Sequence, residues 1–169
     1  MGKTLIAYYS RRGENYWNGS IKNITKGNTE RIAEMIADIT GGDLFEIRTV
    51  KEYPENYTEC TKEAMRELKA KDRPELEEYP DSPDEYGTVY LGYPNWWGTM
   101  PMAVFTFLEH FDLSGKTVLP FCTNEGSGMG SSESDLKAAC PAANVGRGLS
   151  IHGAEASQSR AKVEAWVKG

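Results

Sequence analysis

Histidine and cysteine are scarce in this chain, and basic residues are outnumbered. The two histidines, His110 and His152, stand far apart with no second plausible ligand near either, so both read as structural and no metal site is expected. The three cysteines, Cys60, Cys122 and Cys140, are odd in number and lack metal spacing, which argues against a disulfide framework and for a reducing, cytoplasmic setting. Lysine and arginine number 19 against 25 acidic residues, a net charge of -6 that excludes non-specific nucleic-acid binding and makes an anionic membrane surface a poor partner. No apolar run is long enough to span a bilayer, and a strand begins almost at the N-terminus, leaving no room for a signal peptide. There is no repeat, no linker, no nucleophile elbow and no suggested Cys–His pair, so no catalytic residue is assigned. The length of 169 residues suits one domain over residues 1–169.

What is present is an alternation of short apolar runs with helical patterns. Lys3–Tyr9 is apolar with aromatics, as in a strand buried on both faces. After a long polar excursion, Ile32, Ile36 and Ile39 fall at helical spacing, and Gly41-Gly42 stops that helix. Strands are predicted at Asp43–Arg48, Thr88–Tyr93, Lys116–Cys122 and near Leu149–Ile151, with Pro120 a blemish in the fourth. Helices are predicted at Thr58–Lys71, Met102–Phe111, Ser131–Cys140 and Ser157–Lys168. Five strands alternating with five helices argue an α/β fold, a parallel sheet covered on both faces. Ligands in such folds bind at the carboxyl edge, where the strand order reverses.

Three loops converge on that edge. The first ends in Gly27-Asn28-Thr29, where Asn28 or Thr29 can cap the helix and the helix amides can take an anion such as phosphate. The same residues also suit an ordinary helix start. The second, Pro94-Asn-Trp-Trp-Gly-Thr-Met-Pro101, sets Trp96 and Trp97 beside Gly98, suited to stacking on a planar ring. The third, Thr123–Gly130, is rich in backbone donors and flexible enough to wrap a ligand. Gly126-Ser-Gly-Met-Gly130 fails as a dinucleotide fingerprint, because the third glycine position is Ser131.

These loops, in this order, resemble the phosphate loop and the two flavin loops of the flavodoxin family, over nearly the whole chain. The resemblance implies a flavodoxin-like doubly wound five-stranded parallel sheet, order 2-1-3-4-5, with helices on both faces and FMN at the switch point. Carried over residue by residue, it implies cofactor contacts from Ser10, Gly27, Asn28 and Thr29, from Pro94, Asn95, Trp96, Trp97 and Gly98, and from Thr123, Asn124, Glu125, Gly126, Ser127 and Gly128. It also implies that Trp97 stacks on the flavin and that Gly98 turns its carbonyl towards the ring's N5. Two departures stand out. An insertion from Arg12 to Lys26 splits the phosphate loop, so that Thr25, or the charge of Arg12 and Lys26, must serve there. The third loop lacks the tyrosine that often covers the outer flavin face, so that Trp96, Trp97, Tyr16 or Trp17 covers it or it stays open, as an enzyme that stacks a second ring there would need.

Three functions follow in order of expectation. The first is a low-potential electron carrier serving redox partner proteins, with acids such as those of Glu75–Glu85 lowering the flavin potential. The second is an FMN-dependent NAD(P)H:quinone oxidoreductase that passes electrons to a small acceptor. The third, a cofactor-free receiver-like domain, is disfavoured because no acidic pair follows the first strand.

Overall fold

In the computed structural model, which describes residues 2–169, strand β1 (Lys3–Tyr8) runs inside the sheet. Its side chains alternate between two cores. Leu5, Ala7 and the following Tyr9 enter one, Ile6 and Tyr8 the other. Both faces are covered, which is why the run has no polar face. Then come β2 (Gly13–Trp17), β3 (Ser20–Ile24), α1 (Asn28–Thr40), β4 (Asp43–Glu46), α2 (Tyr57–Ala70), β5 (Tyr86–Pro94) and α3 (Met102–His110). The chain closes with β6 (Thr117–Asn124), α4 (Ser132–Ala139), β7 (Asn144–Val145), β8 (Leu149–His152) and α5 (Arg160–Lys168). Short 3-10 turns lie at Pro83–Glu85 and Gly153–Gln158.

The large sheet is parallel throughout, in the order β4-β1-β5-β6, with β7 and β8 both paired to β6. Counting β7 and β8 as one interrupted strand, this is the doubly wound 2-1-3-4-5 order. Helices α1 and α5 bring Ile32, Ala33, Ile36 and Val163 to one core. Helices α3 and α4 bring Ala103, Val104, Phe107 and Leu136 to the other. The switch point therefore lies between β1 and β5, above which the loop before α1 and the loop after β5 separate to opposite faces. Among the described residues no helix is long and apolar enough to cross a membrane.

Two features depart from the sequence expectation, and both have local causes. The fifth strand is broken. Its pieces pair with Thr117–Val118 and with Phe121–Asn124, so no partner on that side stands opposite Leu119 and Pro120. Proline has no amide to donate, and the interruption falls where a ladder bond would have been lost. The insertion is an antiparallel hairpin, β2–β3, turning at Asn18 (φ 49°) and Gly19 (φ 90°). Both turn residues have positive φ, as a two-residue type I′ turn demands, and Asn-Gly is its preferred pair.

Gly92 of β5 stands in register with Phe121 of β6, and the Phe121 ring covers it so closely that a Cβ there would come within 2.2 Å of ring carbon. Gly92→Ala should cost roughly 1–3 kcal/mol, as overpacking does in a close-packed core. Urea unfolding checks this; an unchanged midpoint would mean that the ring can move aside at no cost.

Candidate functional site

The site begins where α1 begins. Gly27 precedes the helix in extended conformation, and a Cβ on it would strike the Ser10 Oγ and the Arg11 carbonyl. That close approach lets Ser10 Oγ accept the amide of Glu30 at 3.1 Å, capping the helix from the end of β1 rather than from its own N-cap residue. The amides of Asn28 and Thr29 have no intrahelical acceptor and no other partner among the described residues. Thr29 is buried and its Oγ1 lies 2.8 Å from Thr123 Oγ1, which ties the helix start to the end of β6. Asn28 Oδ1 is buried without a hydrogen-bond partner. Two open amides, the positive end of a 13-residue helix and an orphaned side-chain oxygen form a polar cradle suited to a phosphate and its neighbouring hydroxyls.

The second and third loops are stitched to each other and to this cradle. Asn95 donates its amide to the Thr123 carbonyl (2.9 Å) and its Nδ2 to the Gly128 carbonyl (2.8 Å), while its Oδ1 accepts the Gly98 amide (2.8 Å). Trp96 and Thr99 exchange backbone hydrogen bonds across a tight turn, with Trp97 at φ 55° and Gly98 at φ 87°. A left-handed tryptophan is strained, and the strain aims the indole across the site. Its Nε1 donates to the Thr61 carbonyl of α2 at 2.8 Å, and the side chain is half exposed. Trp96 instead packs edge-on against Tyr9 (5.2 Å) and Tyr53 (5.1 Å).

Between these segments lies a cavity of about 420 Å³. Of the residues expected from sequence, it brings together Asn28, Thr29, Pro94, Asn95, Trp96, Trp97, Thr123, Asn124, Glu125 and Ser127. Ser10 and Gly27 shape the cradle from behind. Gly126 and Gly128 are turn residues of positive φ outside the lining; Gly126 donates to the Asn124 Oδ1 and Gly128 accepts from Asn95. Gly98 also lies off the cavity, and its carbonyl already accepts the Ser131 amide at 2.7 Å and the Ser131 hydroxyl at 3.2 Å. It is therefore committed to the start of α4 rather than turned towards a ligand. Arg12 points away, paired with Glu46 (3.1 Å) and Glu30 (3.5 Å), and Lys26 pairs with Glu34. Thr25 is exposed and lines nothing.

The cation at the site is Arg11. Its Nε donates to the Glu14 carbonyl and its Nη2 to the carbonyls of Pro54 and Glu55, so it fastens the hairpin base to the loop before α2. Of the inserted aromatics considered for the outer flavin face, Tyr16 lines the cavity and Trp17 does not; sequence reasoning missed the wall formed by Tyr57, Cys60, Thr61 and Ala64 of α2, and Asn15 and Gly153. Their 57, 60, 61, 64 spacing is a helical stripe, but nothing in the sequence distinguishes a stripe facing a cavity from one facing the core. Burial pushes the Cys60 thiol pKa up against the pull of Arg11, so Cys60 lines the cavity as a neutral group.

Comparison with known proteins agrees with this geometry. A family model described as flavodoxin matches residues 21–169. A candidate flavoprotein from Bacteroides uniformis is 34% identical, with a TM-score of 0.81 and 99% of each chain covered. Another from Bacteroides eggerthii is 29% identical, with a TM-score of 0.80, 99% of this chain and 97% of that chain covered. A flavoprotein from Lactobacillus acidophilus, solved in complex with FMN, shares the fold at 21% identity and a TM-score of 0.69, with 94% and 98% covered. No curated protein sequence matches the chain.

The bracing of Trp96 reaches a buried acid. Tyr53 donates its hydroxyl to Glu67 Oε1 at 2.5 Å, and Glu67 is only 7% exposed. Burial raises the Glu67 pKa from its ordinary 4.5, while the Tyr53 hydrogen bond opposes the rise. A carboxyl of raised pKa holds its proton more tightly folded than unfolded, so its contribution to stability is present at low pH and lost as pH rises through the raised value. Glu67→Gln keeps an acceptor for Tyr53 and removes that loss. The variant should be more stable than the parent at neutral pH, with the gap closing below about 4.5, as urea midpoints at the two pH values would report. A Gln variant less stable at neutral pH would mean that the charged hydrogen bond outweighs the cost of burial.

Proposed function

The chain belongs to the flavodoxin family, and from that premise we propose that it binds FMN at this cavity and works as a low-potential electron carrier. The observation that carries the cofactor reading is the cradle at the start of α1, open amides and an orphaned Asn28 oxygen, facing an aromatic held by the second loop. In this reading the amides of Asn28 and Thr29 take the phosphate, supported by Ser10 and Gly27 from behind. Asn95, Thr123, Asn124, Glu125 and Ser127 surround the polar chain and ring edge, and Trp97 covers one ring face. Arg11 supplies positive charge that the sequence reading had sought from Arg12. FMN, when bound, supplies the redox chemistry, in steps of one electron or two.

The carrier reading is supported by the walling of the cavity on its hairpin side and by the acidity of the chain. The hairpin supplies Asn15 and Tyr16 as a roof, and Tyr16 packs over Tyr57 with ring centres 5.7 Å apart. The net charge of -6 supports a low potential, because negative charge disfavours adding an electron nearby. One observation favours the NAD(P)H:quinone oxidoreductase instead. The Gly98 carbonyl is held by Ser131, so it is not free to accept from the ring.

Titration of the cofactor-free protein should give much tighter binding for FMN than for riboflavin; equal affinities would remove the phosphate from the argument. Trp97→Ala should weaken FMN binding by about 1–3 kcal/mol, the scale of a ring stacked on an aromatic. NADH and NADPH should reduce the loaded protein slowly and dithionite readily. Rapid reduction by either nicotinamide would replace the carrier with the reductase.

A further inference from the structure

The turn that carries Trp97 is held in a conformation its sequence does not favour. Trp96 and Thr99 close it, and the two residues between them, Trp97 at φ 55° and Gly98 at φ 87°, both have positive φ. Asparagine, aspartate or glycine suits the first of these positions, and a bulky aromatic does not. Burial does not hold the indole there either, since Trp97 is 51% exposed. Such a residue keeps its strained backbone only where surrounding contacts over-determine it.

The contacts come from three sides. Asn95 Oδ1 takes the Gly98 amide and the Thr61 carbonyl takes the indole Nε1, each at 2.8 Å and each from a residue that lines the cavity. The third side is α4, which lies off the cavity. Asp135 Oδ2 accepts the Thr99 hydroxyl at 2.5 Å and the Ser131 hydroxyl at 2.8 Å. Ser131 in turn gives its amide to the Gly98 carbonyl at 2.7 Å. Gly130 permits this approach, because a Cβ there would come within 2.1 Å of the Gly98 oxygen. Thr99 is buried, so loss of the carboxylate would leave its hydroxyl unpaired. One carboxylate thus grips both the end of the turn and the residue that holds its carbonyl.

We propose that Asp135 is a positioning residue for the flavin: through Thr99 and Ser131 it locks the turn before the cofactor arrives, so that Trp97 is presented ready to stack. This rests on the flavin reading above. Asp135 lines no part of the cavity. It acts on the fraction of molecules whose turn is set, and apparent affinity falls with that fraction.

Titration of the cofactor-free full chain with FMN, read by flavin fluorescence, is one test. Near-ultraviolet circular dichroism of the chain without flavin is the other. Asp135→Ala should weaken FMN binding by about fivefold or more, the loss expected from removing a hydrogen-bonded tie. Asp135→Asn keeps an acceptor for both hydroxyls and should restore most of the affinity. Thr99→Val breaks one tie without touching α4 and should weaken binding in the same direction. In a Trp97→Ala background neither change should cost anything more, because no indole is left to present. The dichroism that Trp97→Ala removes from the flavin-free parent should already be missing from Asp135→Ala. A carboxylate that served only the stability of α4 would lower the urea midpoint, leave the Trp97 signal in place and give losses that add to those of Trp97→Ala. Such additivity overturns the proposal, as does parental FMN affinity in Asp135→Ala or Thr99→Val, or an Asn variant as weak as the Ala variant. If Asp135→Ala does not fold, Thr99→Val carries the same comparisons. Failure of the parent to bind FMN would instead sink the flavin reading, and the flavin-free dichroism would still report whether Asp135 sets the turn.

Discussion

The approach of Gly27 to Ser10 is the contact on which the site depends. With no Cβ between them, the end of β1 lies against the first turn of α1, and Ser10 takes the third amide of the helix. The first two amides then stay open and point over the carboxyl edge of the sheet. Thr29 reaches across to Thr123 and fixes the same helix start to β6. Three segments distant in sequence are thereby held in one place, by contacts too short to tolerate a larger side chain at residue 27.

Around that point the polar and aromatic parts of the site are separately braced. Asn95 uses every hydrogen-bonding group of its side chain, together with its amide, to join the second loop to the third. Trp96 is clamped by Tyr9 and Tyr53, and Tyr53 in turn by Glu67. Trp97 is left with a strained backbone and one anchor on α2. Adjacent tryptophans thus do different work, though both border the cavity: Trp96 packs against the core beneath the loop, and Trp97 reaches out to α2. Strain at a residue bordering a cavity is affordable because the surrounding turn over-determines it.

The hairpin changes the character of the cavity. A phosphate loop of a few residues would leave the start of α1 open to solvent. Here ten residues of paired strand fold back over it and are tied to Glu125 and Arg11. The cost is a thinly packed element with exposed apolar side chains at Tyr16 and Ile21. The hairpin and α2 also supply the wall of the cavity that the three loops alone do not, including Tyr57 and Cys60.

Much of this was legible in the chain itself. The alternating apolar runs, the glycine stops and the absence of a polar face on the first strand determined a parallel α/β sheet, because such runs can be buried only between two layers of helices. Gly27-Asn28-Thr29 and Asn95-Trp96-Trp97 marked their loops, since helix starts and exposed aromatics carry local signals. The Asn18-Gly19 turn was equally local, yet it was read as polar excursion because Glu14–Trp17 lacks a strict alternation. Other features had no local signal. Arg11 and Arg12 are adjacent and chemically identical, and only the path of the chain after Ser10 turns one to the cavity and the other to Glu46. The choice between Trp96 and Trp97, the commitment of the Gly98 carbonyl to Ser131 and the meeting of Asn18 with Glu125 and His152 are of the same kind. Each joins residues far apart in sequence, or depends on one rotamer or one turn, and so was decided only when the tertiary packing brought its partners together.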